Sequence, residues 1–142
     1  MISAGMKRFG IIPRSFVFPR NNVAHLDLLG KYGYKCYRDY RLCTCIEKKG
    51  RLYDVHPSLF IGQSRSPKFL ERFIDLCIAK KVPFHVWFHP WNFGKSKESI
   101  RRNINELLFP VLKYAQQKVK TGELTFETML SAAEKVEKFR HN

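Results

Sequence analysis

SFVFPRNNVAHLDLLGKYGYKCYR, residues 15–38, is the stretch that decides the fold. Its apolar start, Phe16 to Phe18, reads as a short strand stopped by Pro19, because proline has no N–H to give to a sheet ladder. Asn21 or Asn22 then caps a helix carrying Leu26, Leu28 and Leu29. That helix is expected to end near Tyr32, with Gly33 taking the left-handed closing conformation. A second strand follows from Tyr34 to Arg38. A strand, a helix and a strand in so short a span predict two parallel strands joined by a right-handed crossover.

Beyond this unit the pattern weakens from Asp39 to Gln63. Leu42 to Ile46 and Leu52 to Val55 are short strand candidates around a Lys48-Lys49-Gly50 turn, and His56-Pro57-Ser58 begins a loop. Ser66-Pro67 starts a helix, a cap followed by proline in the first turn. Phe69, Leu70, Phe73, Ile74 and Cys77 recur on it at helical spacing, and Pro83 forbids its continuation. FHVWFHPWN, residues 84–92, then gives a strand ending at His89. Alternation puts Phe84, Val86 and Phe88 on one face and His85, Trp87 and His89 on the other. Ser96 opens the longest helix, whose apolar stripe runs from Ile100 to Val119 and is kinked or split by Pro110. Leu124-Thr125 resembles a last short strand, and Glu127 to Lys138 a final amphipathic helix. The alternation predicts an α/β fold of about four parallel strands with covering helices. An open sheet that small has edges in need of cover.

At 142 residues the chain is expected to form one domain over 15–140, behind a lead-in at 1–14. With 44% hydrophobic and 14% aromatic residues, composition excludes a disordered chain. Net charge of +14 suits nucleic acid, anionic glycan or an acidic membrane surface. The basic residues are spread along the whole sequence, which equally describes an ordinary solvated surface. Cys36, Cys43, Cys45 and Cys77 match no standard zinc or disulfide spacing, so reduced thiols are expected. No apolar run approaches a membrane span, and the start lacks the apolar core of a signal peptide. The expectation is a soluble cytoplasmic protein.

Candidate chemistry centres on His89. A histidine at the carboxyl end of a strand sits where α/β folds carry their chemistry, and imidazole serves as acid, base or ligand near neutral pH. His85 reads as structural, and Asn92 as a turn residue or a substrate contact. Arg38 reads as pairing with a carboxylate or lying on the surface, and His56 as a loop residue.

Four stretches, SFVFPRNN (15–22), GYKCYR (33–38), HVWFHPWNF (85–93) and GELTFETML (122–130), together resemble the carboxyl-terminal half of the polysaccharide deacetylase superfamily, the NodB homology domain. The resemblance implies an incomplete (β/α) barrel, TIM-like, and removal of N-acetyl groups from amino sugars of glycans. By that resemblance His89 is the general acid that protonates the departing amine, and Trp87 lines the pocket for the acetyl methyl. Phe18-Pro19-Arg20-Asn21 corresponds to the segment whose main-chain N–H, at Arg20, helps hold the oxyanion, so Pro19 and Arg20 join the expected site. The family's aspartate that orients the acid histidine is not assignable by motif, and Asp39 is the position chosen for it.

The family's aspartate–aspartate motif and its paired metal-binding histidines are missing from this sequence. A divalent metal, zinc or similar, is expected in complete members, and no cofactor is expected to be bound by this chain alone. It is therefore expected to be inactive by itself: a fragment, a split half or a remnant. Its partners would be an N-acetylated glycan, together with a complementary half-barrel chain or a second copy. The alternative reading is a non-catalytic basic module for anionic glycan or nucleic acid.

Overall fold

Prolines and short polar caps set most element boundaries in the computed structural model, which describes residue 6, residues 8–61 and residues 66–140. Parts of the expected lead-in (1–5 and 7), the end of the weakly patterned stretch (62–63) and His141 lie outside the described residues. In chain order the elements are β1 Ser15–Val17, a 3-10 turn Pro19–Asn21, α1 Leu26–Lys31, β2 Cys36–Arg38, β3 Ile46–Lys49, β4 Leu52–Val55, β5 Leu59–Phe60, α2 Pro67–Lys80 and β6 Val86–Trp87. A 3-10 turn Pro90–Phe93, α3 Lys97–Asn103, a π-turn Ile104–Leu108, α4 Phe109–Lys120 and α5 Met129–Arg140 complete the series.

The fold is mixed α/β with parallel strands and helices, and the described residues form no closed barrel. The chain divides into two compact units. The first comprises Met1–Arg41, Cys45–His56 and Glu127–Asn142; the second comprises Leu42–Thr44 and Pro57–Phe126.

In the first unit the strand order is β1-β2-β4-β3. β1, β2 and β4 run parallel, and β3 closes the edge antiparallel to β4. Side-chain alternation divides the core in two. Tyr37 and Leu52 pack with Phe18, Leu29 and Tyr34. Cys36, Tyr53 and Val55 pack with Ala133, Met129, Leu130 and Val136 of α5. The end of α1 fits the expectation for Gly33. Gly33 has φ 83, its N–H reaches the Gly30 carbonyl, and the Tyr34 N–H reaches back to Leu29. That pair of bonds satisfies carbonyls the helix end leaves open.

The start of α1 differs from expectation. Asn21 and Asn22 donate their N–H groups to Phe18 and Pro19, closing a 3-10 turn. The helix begins only at Leu26, behind His25 in the left-handed region. The predicted Leu42–Ile46 strand is displaced to Ile46–Lys49, because Lys49 pairs with Leu52 across a two-residue Gly50-Arg51 turn. Gly50, at φ 60, supplies the positive φ such hairpins need.

In the second unit β5 and β6 pair in parallel, Leu59 with Val86 and Phe60 with Trp87. Its core joins Leu59 and Ile61 to Leu70 and Ile74 of α2, Phe93, and Leu107, Val111 and Ala115 of the long helical segment. Ser66 caps α2 as expected, its hydroxyl accepting from the Phe69 N–H. Pro110 does interrupt the long helix. The turn before it widens to π geometry, with the Phe109 N–H bonding to Ile104, so the chain passes a residue that cannot donate. No strand forms at Leu124-Thr125, because the N–H groups of Glu123 and Leu124 fold back onto the Lys118 carbonyl. Among the described residues the parallel strands number five, against the expected four or so, three in one sheet and two in the other.

Cys36 and Cys77 are free and buried, as the reduced-thiol expectation requires. Cys43 and Cys45 are disulfide-bonded and depart from it. No helix among the described residues is long and apolar enough to cross a membrane.

Candidate functional site

The predicted strand ending at His89 is shorter than its apolar run. Among the described residues its pairing is Val86 with Leu59 and Trp87 with Phe60. Ser58 ties the start of this segment: its hydroxyl donates to the Pro83 carbonyl at 2.9 Å and accepts from the His85 N–H at 3.0 Å. The faces alternate as expected. Phe84 and Val86 pack on the unit's core, and Phe88 meets Phe93 edge-on.

On the opposite face the rings form a short ladder. Phe60 lies 4.7 Å from Trp87, and Trp87 meets His89 edge-on at 5.3 Å. His89 then stacks on Trp91 at 4.2 Å and 11°. His89 is exposed and remains extended (φ −110, ψ 151), leading into the Pro90–Phe93 turn. Asn92 closes that turn, its Oδ1 accepting from the His89 N–H at 2.7 Å and its own N–H reaching the His89 carbonyl. Trp87, His89 and Asn92 are therefore brought together, and Trp91, 66% exposed, joins them. Sequence reasoning missed Trp91, although its two-residue offset from His89 repeats that of Trp87.

Pro19 and Arg20 belong to the first unit. Arg20 sits at φ 54 and ψ 21. The carbonyls closing this turn take the N–H groups of Asn21 and Asn22, which leaves the Arg20 N–H outside the turn's own ladder. Arg38 donates to Asn21 Oδ1 at 3.0 Å and so braces the turn. Burial draws its guanidinium below its usual value.

The first unit also holds a polar centre that the sequence did not announce. His56 and Asp54 are fully buried. His56 Nδ1 lies 2.8 Å from Asp39 Oδ1 and 3.6 Å from Asp54 Oδ1. His56 Nε2 lies 2.9 Å from Arg41 Nη2 and 3.4 Å from Glu47 Oε2. A guanidinium only donates, so Nε2 accepts from Arg41 and the ring proton sits on Nδ1, given to Asp39. Arg41 also pairs with Glu47 Oε1, and Lys49 Nζ holds Asp54 Oδ2 at 2.8 Å. Arg41 and His56 together hold the Glu47 carboxyl below its usual range. Burial and the neighbouring Asp54 carboxylate push the Tyr37 hydroxyl up to about 12.

Asp39 thus orients a histidine, and that histidine is His56. The signal was present in Tyr53-Asp54-Val55-His56: an aspartate and a histidine two apart share one face at the carboxyl end of a strand. No protein-family model, curated protein or solved structure matches this chain.

Proposed function

We propose that the chain is the carboxyl-terminal part of a polysaccharide-deacetylase-type (β/α) barrel and contributes the acid side of N-acetyl hydrolysis on glycans. The observation that carries this reading is the exposed His89 ring, set between Trp87 and Trp91 just beyond a parallel strand. When the tetrahedral intermediate collapses, the carbon–nitrogen bond breaks and the amine needs a proton. His89 supplies it from a ring nitrogen. Trp87, on the same face, walls the space for the acetyl methyl, and Asn92 holds the turn that carries the histidine.

The ion that complete family members carry does not fit the family's positions here. His85 and His89 are four residues apart along an extended segment, and the His89 ring contacts are with tryptophans. No step above passes through that ion. The base and the ion-holding residues belong to a complementary half. Among the described residues β1 pairs only with β2, and Val17 on β1 together with Phe9, Ile11 and Ile12 before it is exposed. Such an edge is where further strands would add.

The purified chain should release no acetate from N-acetylglucosamine oligomers. Supplied with a polypeptide carrying the aspartate–aspartate motif and paired histidines, it should release acetate, and His89→Ala should abolish that release. Acetate from the chain alone, no acetate from the complemented pair, or release indifferent to His89 would each overturn the proposal. The charge of +14 favours the second reading, a basic module on anionic glycan or nucleic acid; its affinity would fall steeply with added salt.

A further inference from the structure

The buried centre of the first unit has the composition and spacing of a cation site. Two ligands of a four-coordinate ion with bonds of about 2.0–2.1 Å stand about 3.3 Å apart. His56 Nδ1 lies 2.8 Å from Asp39 Oδ1 and 3.6 Å from Asp54 Oδ1, separations that bracket this value. All three potential ligand atoms lie within 4.8 Å of one another. The second layer is also present. A metal-bound imidazole gives its other N–H to a carboxylate, and Glu47 Oε2 is 3.4 Å from Nε2. Lys49 fixes the free oxygen of Asp54, and the Arg41 N–H fixes Asp39 Oδ1 at 2.9 Å.

Charge points the same way. Asp39, Asp54 and Glu47 stand around His56 with Lys49 and Arg41 beside them, so the cluster carries three carboxylates against two fixed cations. We propose that Asp39, Asp54 and His56 bind a divalent first-row metal of the zinc class. One imidazole and two carboxylates suit zinc, cobalt or manganese, whereas calcium and magnesium take all-oxygen sets. On binding, the ring proton moves from Nδ1 to Nε2 and is donated to Glu47 Oε2, and Arg41 Nη2 gives up its bond to Nε2, swings off the ring and keeps Glu47 Oε1; no proton is released. Cys45 Sγ lies within reach of Glu47 and His56, but it is disulfide-bonded and offers no thiolate. These residues are not the positions of the family's ion, and the inference does not depend on the glycan reading.

The test is a titration of the full chain with cobalt(II) alone, followed by visible absorption and competition with zinc. One equivalent should give a saturable band, with the His56 proton found on Nε2 by nitrogen-15 NMR. Asp39→Asn should weaken binding at least tenfold and Glu47→Gln by roughly 10-fold, while His89→Ala leaves it unchanged. If His56→Gln fails to fold by circular dichroism, the Asp39 and Glu47 variants still decide. Absence of a saturable band, or affinity equal to wild type in both Asp39→Asn and Glu47→Gln, would overturn the site and leave the cluster as an ion-pair network.

Discussion

His56 and His89 invite comparison, because each follows a parallel strand and precedes a proline. Their surroundings are opposite. His56 is buried among three carboxylates, a lysine and an arginine, whereas His89 is exposed and touches tryptophan rings. Position at a strand end therefore does not decide what an imidazole does. The groups that neighbouring strands bring to it decide. In the first unit β2 leads into Asp39 while the β3–β4 hairpin presents Glu47 and Lys49 beside Asp54. In the second, β5 presents only Phe60 to the face that carries His89.

The largest effect expected from this contrast concerns stability. His56→Ala takes the buried ring partner from the Asp39 carboxylate, while Asp54 keeps Lys49, and should cost about 3–5 kcal/mol. His89→Ala, on the surface, loses its ring contacts with Trp87 and Trp91 and should cost only about 0.5–1.5 kcal/mol. Urea denaturation of the two variants measures the difference, and equal losses would break the comparison. A smaller loss is expected at the hydroxyl that ties the second unit's strand: Ser58→Ala strands the Pro83 carbonyl and the His85 N–H and should cost about 1–3 kcal/mol by the same measurement. Trp91→Ala removes the stacked partner of His89 and should cost about 0.5–1.5 kcal/mol. A neutral result there would mean the stack does not hold the imidazole.

The first unit should also lose stability at high pH. Burial, with Glu134 adding to it, pushes the Cys36 thiol up from 9.0 to about 11, and the Tyr37 hydroxyl rises from 10.0 to about 12. Both groups hold their protons more tightly when folded. Their contribution is therefore complete below pH 9.0 and is lost as pH rises through about 12. Cys36→Ala and Tyr37→Phe should each flatten the alkaline fall in melting temperature. Slopes unchanged from wild type would contradict the assignment.

What the sequence disclosed follows the same line. Features set by near neighbours were legible: the Ser66-Pro67 helix start, the Gly33 closure, the break at Pro110 and the alternation of faces around Trp87. Features set by distant residues were not. Asp39 and His56 are separated by 17 positions and meet only because β2 and β4 pair. The strand expected at Leu124-Thr125 has the right residue types, but the Leu124 N–H is taken by the end of α4. His25 at a positive φ has no local signal at all. For the site, Trp87, His89 and Asn92 were legible as a group, while Trp91 was passed over.

The most direct test of the central claim is a nitrogen-15 correlation spectrum of this chain recorded with rising amounts of an N-acetylglucosamine trisaccharide. The account predicts saturable shifts at the Trp87 and Trp91 indoles and at the His89 amide, with the signals of Asp54 and His56 unmoved. Shifts centred on the buried histidine, or none anywhere, would contradict it.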